Sequence, residues 1–427
     1  MPERRTFLKQ MSVTLGALAM PLGLMNENKN YLNAAVEDFE SAKNKSDKDF
    51  WRWVRSSYSV SPNIINLNNG GVSPQPIITQ NAQDKYNRMS NEAPSHYMWH
   101  ILDKGREPLR ENLATLAGVS PEEIAINRNT TEGLNTIIFG LDLKKGDEIV
   151  LTKQDYPNMM NAWKQREKRD GVKLNWVNLN LPSEDEDAMV KQYVDKFTDK
   201  TKLVHITHLI NWMGQIIPVR KIADEAKKRG IEVLVDGAHS FALLDFKIPD
   251  LNCDYFATSL HKFMCAPFGS GLMYVKKDKI SKIWALLSAN EPDGSDIRKF
   301  ESLGTRSFAK EMAIGYSLDF HNTIGSARKQ NRLHELKYYW SSQVKKIDRV
   351  NIKTSLNPNY SCAISTIKLE GMATSDLNSN LWKVGKIHAV GMTYENIDSV
   401  RITPNVYTSF RDLDRLLETI EKISKTL

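Results

Sequence analysis

Leu234-Val235-Asp236-Gly237-Ala238-His239 and Thr258-Ser259-Leu260-His261-Lys262-Phe263 are the two stretches whose reading decides the fold. Each starts as a short apolar run of the kind that fills a strand buried on both faces. Each ends in residues that carry charge or can bond a ligand. Ligands on open α/β sheets bind beyond the carboxyl ends of the strands. Asp236, His239, His261 and Lys262 are therefore expected to face one crevice. A lone lysine is usually solvated, and a lone strand-end aspartate often caps the next helix. The pair on successive strands is more specific, because a lysine there can form a Schiff base with an aldehyde.

The flanking sequence repeats the same alternation. Strands are expected at 124–127, 148–152, 174–177, 203–207, 233–236, 256–259 and 272–275, with helical patterns at 133–141, 157–169 and 219–228 between them. Strands alternating with helices predict an α/β fold built on a mostly parallel seven-stranded sheet covered on both faces. After about residue 305 the pattern changes. A long helical stretch over 310–346 leads to short strands at 363–368 and 400–403 and a terminal helix over 409–425. That part reads as a smaller α+β C-terminal domain. The resulting division is 36–70 as linker and arm, 71–305 as the large domain and 306–427 as the small one.

The first 35 residues stand apart. Arg4-Arg5-Thr6-Phe7-Leu8-Lys9 is followed by an uncharged stretch from Met11 to Met25, broken by Pro21. That stretch is too short to span a bilayer as a helix. The layout resembles a twin-arginine export signal, which makes a periplasmic or exported location the expectation, with membrane contact only during export. A frayed basic N-terminus on a cytoplasmic protein is the alternative.

Composition narrows the function classes. The chain has 427 residues, 41% of them hydrophobic and 26% charged, which excludes a disordered protein. Its 58 basic and 51 acidic residues leave a formal charge of +7, but the two signs are mixed along the chain. A mildly basic solvated surface explains this better than a nucleic-acid groove. Three cysteines, Cys253, Cys265 and Cys362, make no disulfide framework and no metal cluster, so no metal is expected. Neither G-x-G-x-x-G nor G-x-x-x-x-G-K-[ST] follows the first strand, which argues against a nucleotide enzyme.

A second element supports the lysine. Asn129-Thr130-Thr131-Glu132-Gly133-Leu134-Asn135 runs from a strand into a helix. Helix N-termini attract phosphate, and the two threonines add hydroxyl donors. Thr130 or Thr131 could instead simply cap its own helix. With Lys262 nearby, a phosphate-bearing aldehyde cofactor is the simpler explanation. An aspartate beside a pyridine nitrogen would keep that nitrogen protonated and make the ring an electron sink.

Taken together, these motifs resemble the class V aminotransferases, fold-type-I pyridoxal-phosphate enzymes, and within them the isopenicillin N epimerase-like proteins. The resemblance covers roughly residues 60–410. Besides the stretches above it rests on Leu67-Asn68-Asn69-Gly70-Gly71, Asn211-Trp212-Met213-Gly214-Gln215-Ile216-Ile217-Pro218, Ala266-Pro267-Phe268-Gly269-Ser270-Gly271, Gly304-Thr305-Arg306 and Val400-Arg401-Ile402-Thr403-Pro404. It implies pyridoxal 5'-phosphate as cofactor, carried by Lys262, with Asp236 at the pyridine nitrogen and Tyr156 stacked on the ring. It implies Asn211 and His239 at the ring hydroxyl, and Thr130, Thr131, Ser259 and His261 at the phosphate. Thr305 would reach the phosphate of another subunit in a homodimer, and Arg401 would clamp a substrate carboxylate. By residue type alone Tyr156 could equally be a core tyrosine, and Arg401 a surface arginine on an edge strand.

The expected chemistry is that of an aminotransferase or epimerase: an amino-acid substrate forms an external aldimine and loses its Cα proton. Elimination of a side-chain group, or a non-catalytic binding protein on the same fold, are the alternatives. Desulfuration is disfavoured, since residues 385–399, where that activity needs a nucleophilic cysteine, contain none. Trp212-Met213 and Phe268 stand where small or polar residues are usual in the family. They suggest an apolar, aromatic-lined substrate site. Trp99 and His100 could line it too, although packing of an N-terminal helix accounts for them better.

Overall fold

A computed structural model describes residues 37–42 and 44–427. The export-signal expectation falls on residues outside that range. Among the described residues, β1 (Ile65–Asn66) precedes a large sheet of seven strands. These are β2 (Ile124–Asn127), β3 (Glu148–Thr152), β4 (Lys173–Val177), β5 (Thr201–Thr207), β6 (Glu232–Asp236), β7 (Tyr255–Ser259) and β8 (Gly271–Val275). Each lies within two residues of an expected strand. The spatial order is β2-β8-β7-β6-β5-β3-β4. β8 is antiparallel to both its neighbours, and the other pairings are parallel. β7 and β8 are buried along their whole length, which is why the sequence there reads as unbroken apolar runs.

Helices cover both faces. α1 (Thr130–Gly140) and α2 (Pro157–Asp170) pack Leu134, Ile137 and Trp163 against Leu151, Leu203 and Leu234 of the sheet. α1 sits unusually close. A Cβ on Gly133 would lie 2.7 Å from Asn127 Nδ2 and 2.9 Å from Ala257 Cβ, so a larger residue would push the helix off the sheet. On the other face Ile206, Val235 and Phe256 meet Ile222, Phe308 and Met312.

The expected helical stretch over 310–346 is two helices, α3 (Phe308–Ile324) and α4 (Ser326–Val344). They meet at Gly325, whose φ of 86° is left-handed and costs a residue without Cβ nothing. A four-stranded sheet follows, built from β9 (Val350–Ile352), β10 (Ser365–Leu369), β12 (Val390–Tyr394) and β13 (Ile397–Ile402) in the order β12-β13-β10-β9. β11 (Ile387–His388) pairs instead with β1. Behind this sheet lie α5 (Thr374–Gly385) and α6 (Phe410–Ser424), with Trp340, Leu381 and Leu416 in their shared core. α6 starts on a full capping box, Ser409 with Asp412, where the sequence places its start.

The topology delivers the site. Thr207 on β5 is in register with Asp236 on β6, and Asp236 is in register with Ala257 on β7. The carboxyl ends of three parallel strands therefore share one edge of the sheet. β13, from the smaller sheet, brings Arg401 to the same edge.

Candidate active site

A cavity of about 420 Å³ opens at that edge. Of the expected site residues, Thr130, Thr131, Tyr156, Asn211, Asp236, His239, Ser259, His261, Lys262 and Arg401 all line it. Thr305 does not. It is exposed on the turn before α3, and the phosphate expected for it belongs to another subunit.

The phosphate end is built on the start of α1. The cap is Asn129, whose Oδ1 accepts from the Glu132 N–H at 2.9 Å. The two threonines are thus spared from capping. Thr130 Oγ1 lies 2.7 Å from Ser259 Oγ, which ties the helix start to the end of β7. His261 spends Nδ1 on the Ser270 carbonyl at 3.0 Å, leaving its other nitrogen for the cavity. Thr130 also donates its N–H to Ser259 Oγ at 3.0 Å, so the positive end of α1, the hydroxyls of Thr130, Thr131 and Ser259 and the second His261 nitrogen are what this end offers a phosphate.

The ring end is buried. Asp236 accepts the Ala238 N–H at 2.8 Å. Burial raises its carboxyl above the usual range, a shift the Ala238 N–H and the neighbouring His205 and Lys262 oppose. A protonated pyridine nitrogen would supply the missing counter-charge. Asn211 Oδ1 is buried without a hydrogen-bond partner, which fits an acceptor waiting for a ring hydroxyl. Tyr156 immediately precedes α2, with Pro157 as the first helical residue, and is 40% exposed at the cavity. That exposure rules out the core-tyrosine reading.

Lys262 Nζ lies 3.2 Å from His239 Nε2. Burial pushes Lys262 down to about 8; Asp236 opposes that shift and the charge of Arg401 adds to it. Burial also pushes His239 well below the usual imidazole value.

Arg401 is no surface arginine. Its Nη1 donates to the Asn211 carbonyl at 2.8 Å and its Nη2 to Asn68 Oδ1 at 2.9 Å. Nε is buried and unpartnered. Burial pushes the guanidinium down to about 10, so it is charged at neutral pH, and no carboxylate among the described residues pairs with it. Gly70 makes room for it, since a Cβ there would lie 3.3 Å from Arg401 Cζ. The donors and orphaned atoms of this cavity therefore fit pyridoxal 5'-phosphate and an α-carboxylate.

Asn68, Gly70, Met159, Thr207, Val390 and Met392 also line the cavity and were assigned no role from sequence. Asn68 and Gly70 belong to a quoted motif, so a signal existed. Val390 and Met392 carried none, because β12 is short and half-exposed and was not recognised as a strand. The residues singled out instead do not line the cavity. Met213 is buried in the core and Phe268 is 57% exposed elsewhere. Trp99 packs edge-on against Phe308 at 4.9 Å, the helix-packing role. Trp212 stacks on Tyr394 at 4.9 Å and 10°.

Comparison with known proteins identifies the family. Residues 65–416 match the family described as aminotransferase class-V. Isopenicillin N epimerase of Amycolatopsis lactamdurans is 25% identical over 394 residues, covering 88% of this chain and 99% of that protein. A probable cysteine desulfurase of Halalkalibacterium halodurans is 28% identical over 385 residues, covering 84% and 93%. The solved cysteine desulfurase of Thermococcus onnurineus NA1 superposes with a TM-score of 0.78 at 22% identity, covering 90% of this chain and 99% of that one. The chain that gathers Lys262, Asp236, Thr130, Thr131 and Arg401 around one cavity thus belongs to the class V aminotransferase family of pyridoxal-phosphate enzymes.

Proposed function

We propose that this chain takes an amino acid by its α-carboxylate at Arg401 and removes the Cα proton with Lys262, leading to transamination or epimerisation. The observation that carries the reading is the convergence of Lys262, Asp236 and Arg401 on one cavity. The cofactor, when bound, supplies an electron sink for the bond broken at Cα. The chain supplies the rest. Arg401 fixes the substrate by a planar donor pair. Lys262, whose amine burial makes less basic, takes up and returns the proton. Asp236 holds positive charge at the far end of the ring.

Similarity to cysteine desulfurases supports a second reading, elimination at a C–S bond, because the same Cα proton is lost first. A desulfurase using its own cysteine is disfavoured. Cys253, Cys265 and Cys362 are buried, and none lines the cavity. The test is a panel of amino acids given to the cofactor-loaded enzyme, with keto acid, inverted amino acid and eliminated product scored separately. Keto acid or inverted product supports the reading; elimination alone replaces it with the second.

We further propose a homodimer in which Thr305 meets the other subunit's phosphate, and export directed by Arg4-Arg5. Trp284, Leu286, Leu287 and Phe268 are exposed apolar residues that support association. Sedimentation should show a dimer. Arg4→Lys/Arg5→Lys should keep the protein in the cytoplasm while the unaltered chain leaves it.

A further inference from the structure

The strand register next to Arg401 bears on which side chain the substrate carries. Arg401 on β13 pairs with Val390 on β12, and Met392 pairs with Ser399. In an antiparallel pair, directly opposed residues project to the same face, and alternate residues of one strand share it. Val390, Met392 and Tyr394 therefore form a row on the face that carries Arg401. The row begins at Val390, opposite Arg401, and runs past the cavity-lining Met392 to Tyr394. Tyr394 stacks on Trp212 and its hydroxyl lies 3.6 Å from Met160 Sδ. Met159, on α2, lines the cavity as well. Glu395, the residue after Tyr394, pairs with Lys153 at 3.5 Å.

The charged side chains of the cavity are Asp236, Lys262 and Arg401, with the imidazoles of His239 and His261 kept neutral by burial. Under the proposed function each of the three charged groups already has a task. Nothing along the Val390–Met392 row could neutralise a second charge on the substrate. Burying an unpaired charge costs several kcal/mol. An apolar chain laid along a valine and two methionines is favoured, and methionine adapts to branched, thioether and aromatic shapes alike.

We propose that the enzyme acts on amino acids with uncharged apolar side chains, read by Val390 and Met392 with Met159, and discriminates against acidic and basic ones. The proposal rests on the reading of Arg401 as the α-carboxylate clamp.

The experiment uses the full chain loaded with pyridoxal 5'-phosphate. Both enantiomers of leucine, methionine, phenylalanine, aspartate, glutamate and lysine are titrated while the visible band is followed, and kcat/KM is measured from whichever product forms. Leucine, methionine and phenylalanine should bind and react about 100-fold or more better than the charged amino acids. Equal or better handling of aspartate, glutamate or lysine overturns the substrate class while leaving the cofactor chemistry intact. A colourless protein, or a band that no amino acid perturbs, overturns the reading beneath it. Met392→Arg should raise the glutamate-to-leucine ratio at least tenfold by offering the missing counter-charge, and Met392→Leu should keep the original preference. An unchanged ratio in a coloured Met392→Arg enzyme removes Met392 as the reader.

Discussion

Lys262 and Gly70 share one histidine nitrogen. His239 Nε2 lies 2.7 Å from the Gly70 carbonyl oxygen and 3.2 Å from Lys262 Nζ. A carbonyl only accepts, so Nε2 carries the hydrogen and donates it. The lysine nitrogen then faces a donor, which disfavours its ammonium form and agrees in direction with its lowered basicity. The geometry and the lowered basicity of Lys262 have the same origin, a cation removed from water beside the guanidinium of Arg401.

Cofactor uptake should therefore titrate early. Only the neutral amine attacks an aldehyde. The rate at which cofactor-free protein takes up pyridoxal 5'-phosphate should rise through an inflection near pH 8, the value to which Lys262 is pushed. An ordinary lysine would place it near about 10.4. An inflection at the ordinary value, read by visible absorbance, would contradict the lowered basicity of Lys262.

Covalent attachment should depend on one lysine. Borohydride treatment of the loaded protein should fix the cofactor to Lys262, and Lys262→Ala should carry none after the same treatment. Peptide mapping decides it. An adduct on any other lysine would relocate the site.

The carboxylate clamp should be sensitive from both sides. Arg401→Ala removes the charge from a buried pair, a loss of about 2–5 kcal/mol in comparable cases, so kcat/KM should fall about 30-fold or more. Gly70→Ala leaves Arg401 in place but sets a methyl group against its Cζ. Its effect should appear chiefly in KM, with cofactor colour retained. A Gly70→Ala enzyme with unaltered kinetics would show that the guanidinium has room to spare.

Acid should unfold the protein partly through buried histidines. Burial pushes His205 and His208 down to about 4. A depressed histidine favours the folded state at pH values above its unfolded value of about 6.5, and that contribution is lost as pH falls toward 4. Each histidine commits on the order of 3 kcal/mol across that window. His208 packs edge-on against Phe246 at 4.9 Å, so His208→Phe should keep the contact and flatten the acid side of the stability curve. Urea unfolding at pH 7 and pH 5 measures it. Parallel losses in both proteins would rule His208 out.

One ion pair should hold the first strand of the large sheet. Arg110 and Glu301 meet through two bonds of 2.6 and 2.9 Å with both side chains buried. Glu301 Oε1 also accepts the Ile126 N–H of β2 at 2.6 Å. Glu301 also pairs with the buried Arg106 at 2.9 Å, so Glu301→Ala would take a carboxylate from two buried guanidiniums, leaving Arg110 with Glu107 and Arg106 with Glu311, and should cost about 3–5 kcal/mol. A loss below about 1 kcal/mol in the unfolding free energy would mean that water reaches the pair.

Legibility followed burial. β6 and β7 sit inside the sheet with helices on both faces, so their apolar runs ending in Asp236 and Ser259 were readable at once. β12 was not. Its residues are half-exposed, Gly391 interrupts it, and its partner lies on the next strand. Val390 and Met392 therefore looked like loop residues until pairing with Arg401 and Ser399 gave them a face. Phe268 misled in the opposite way, because a large apolar residue near a motif suggests a pocket while only packing says which way it points.

By itself the amino-acid sequence determined the alternation of buried strands and helices, and with it a crevice holding Asp236 and Lys262. Those features are local, set by apolar period, turn residues and helix caps. Tertiary structure alone decided which side chains share the cavity. It seated Arg401 against Gly70 and Asn211, tied Thr130 to Ser259, and brought a strand of the smaller sheet beside Arg401. Each of these depends on contacts between residues far apart in the chain, and no local pattern encodes such a distance.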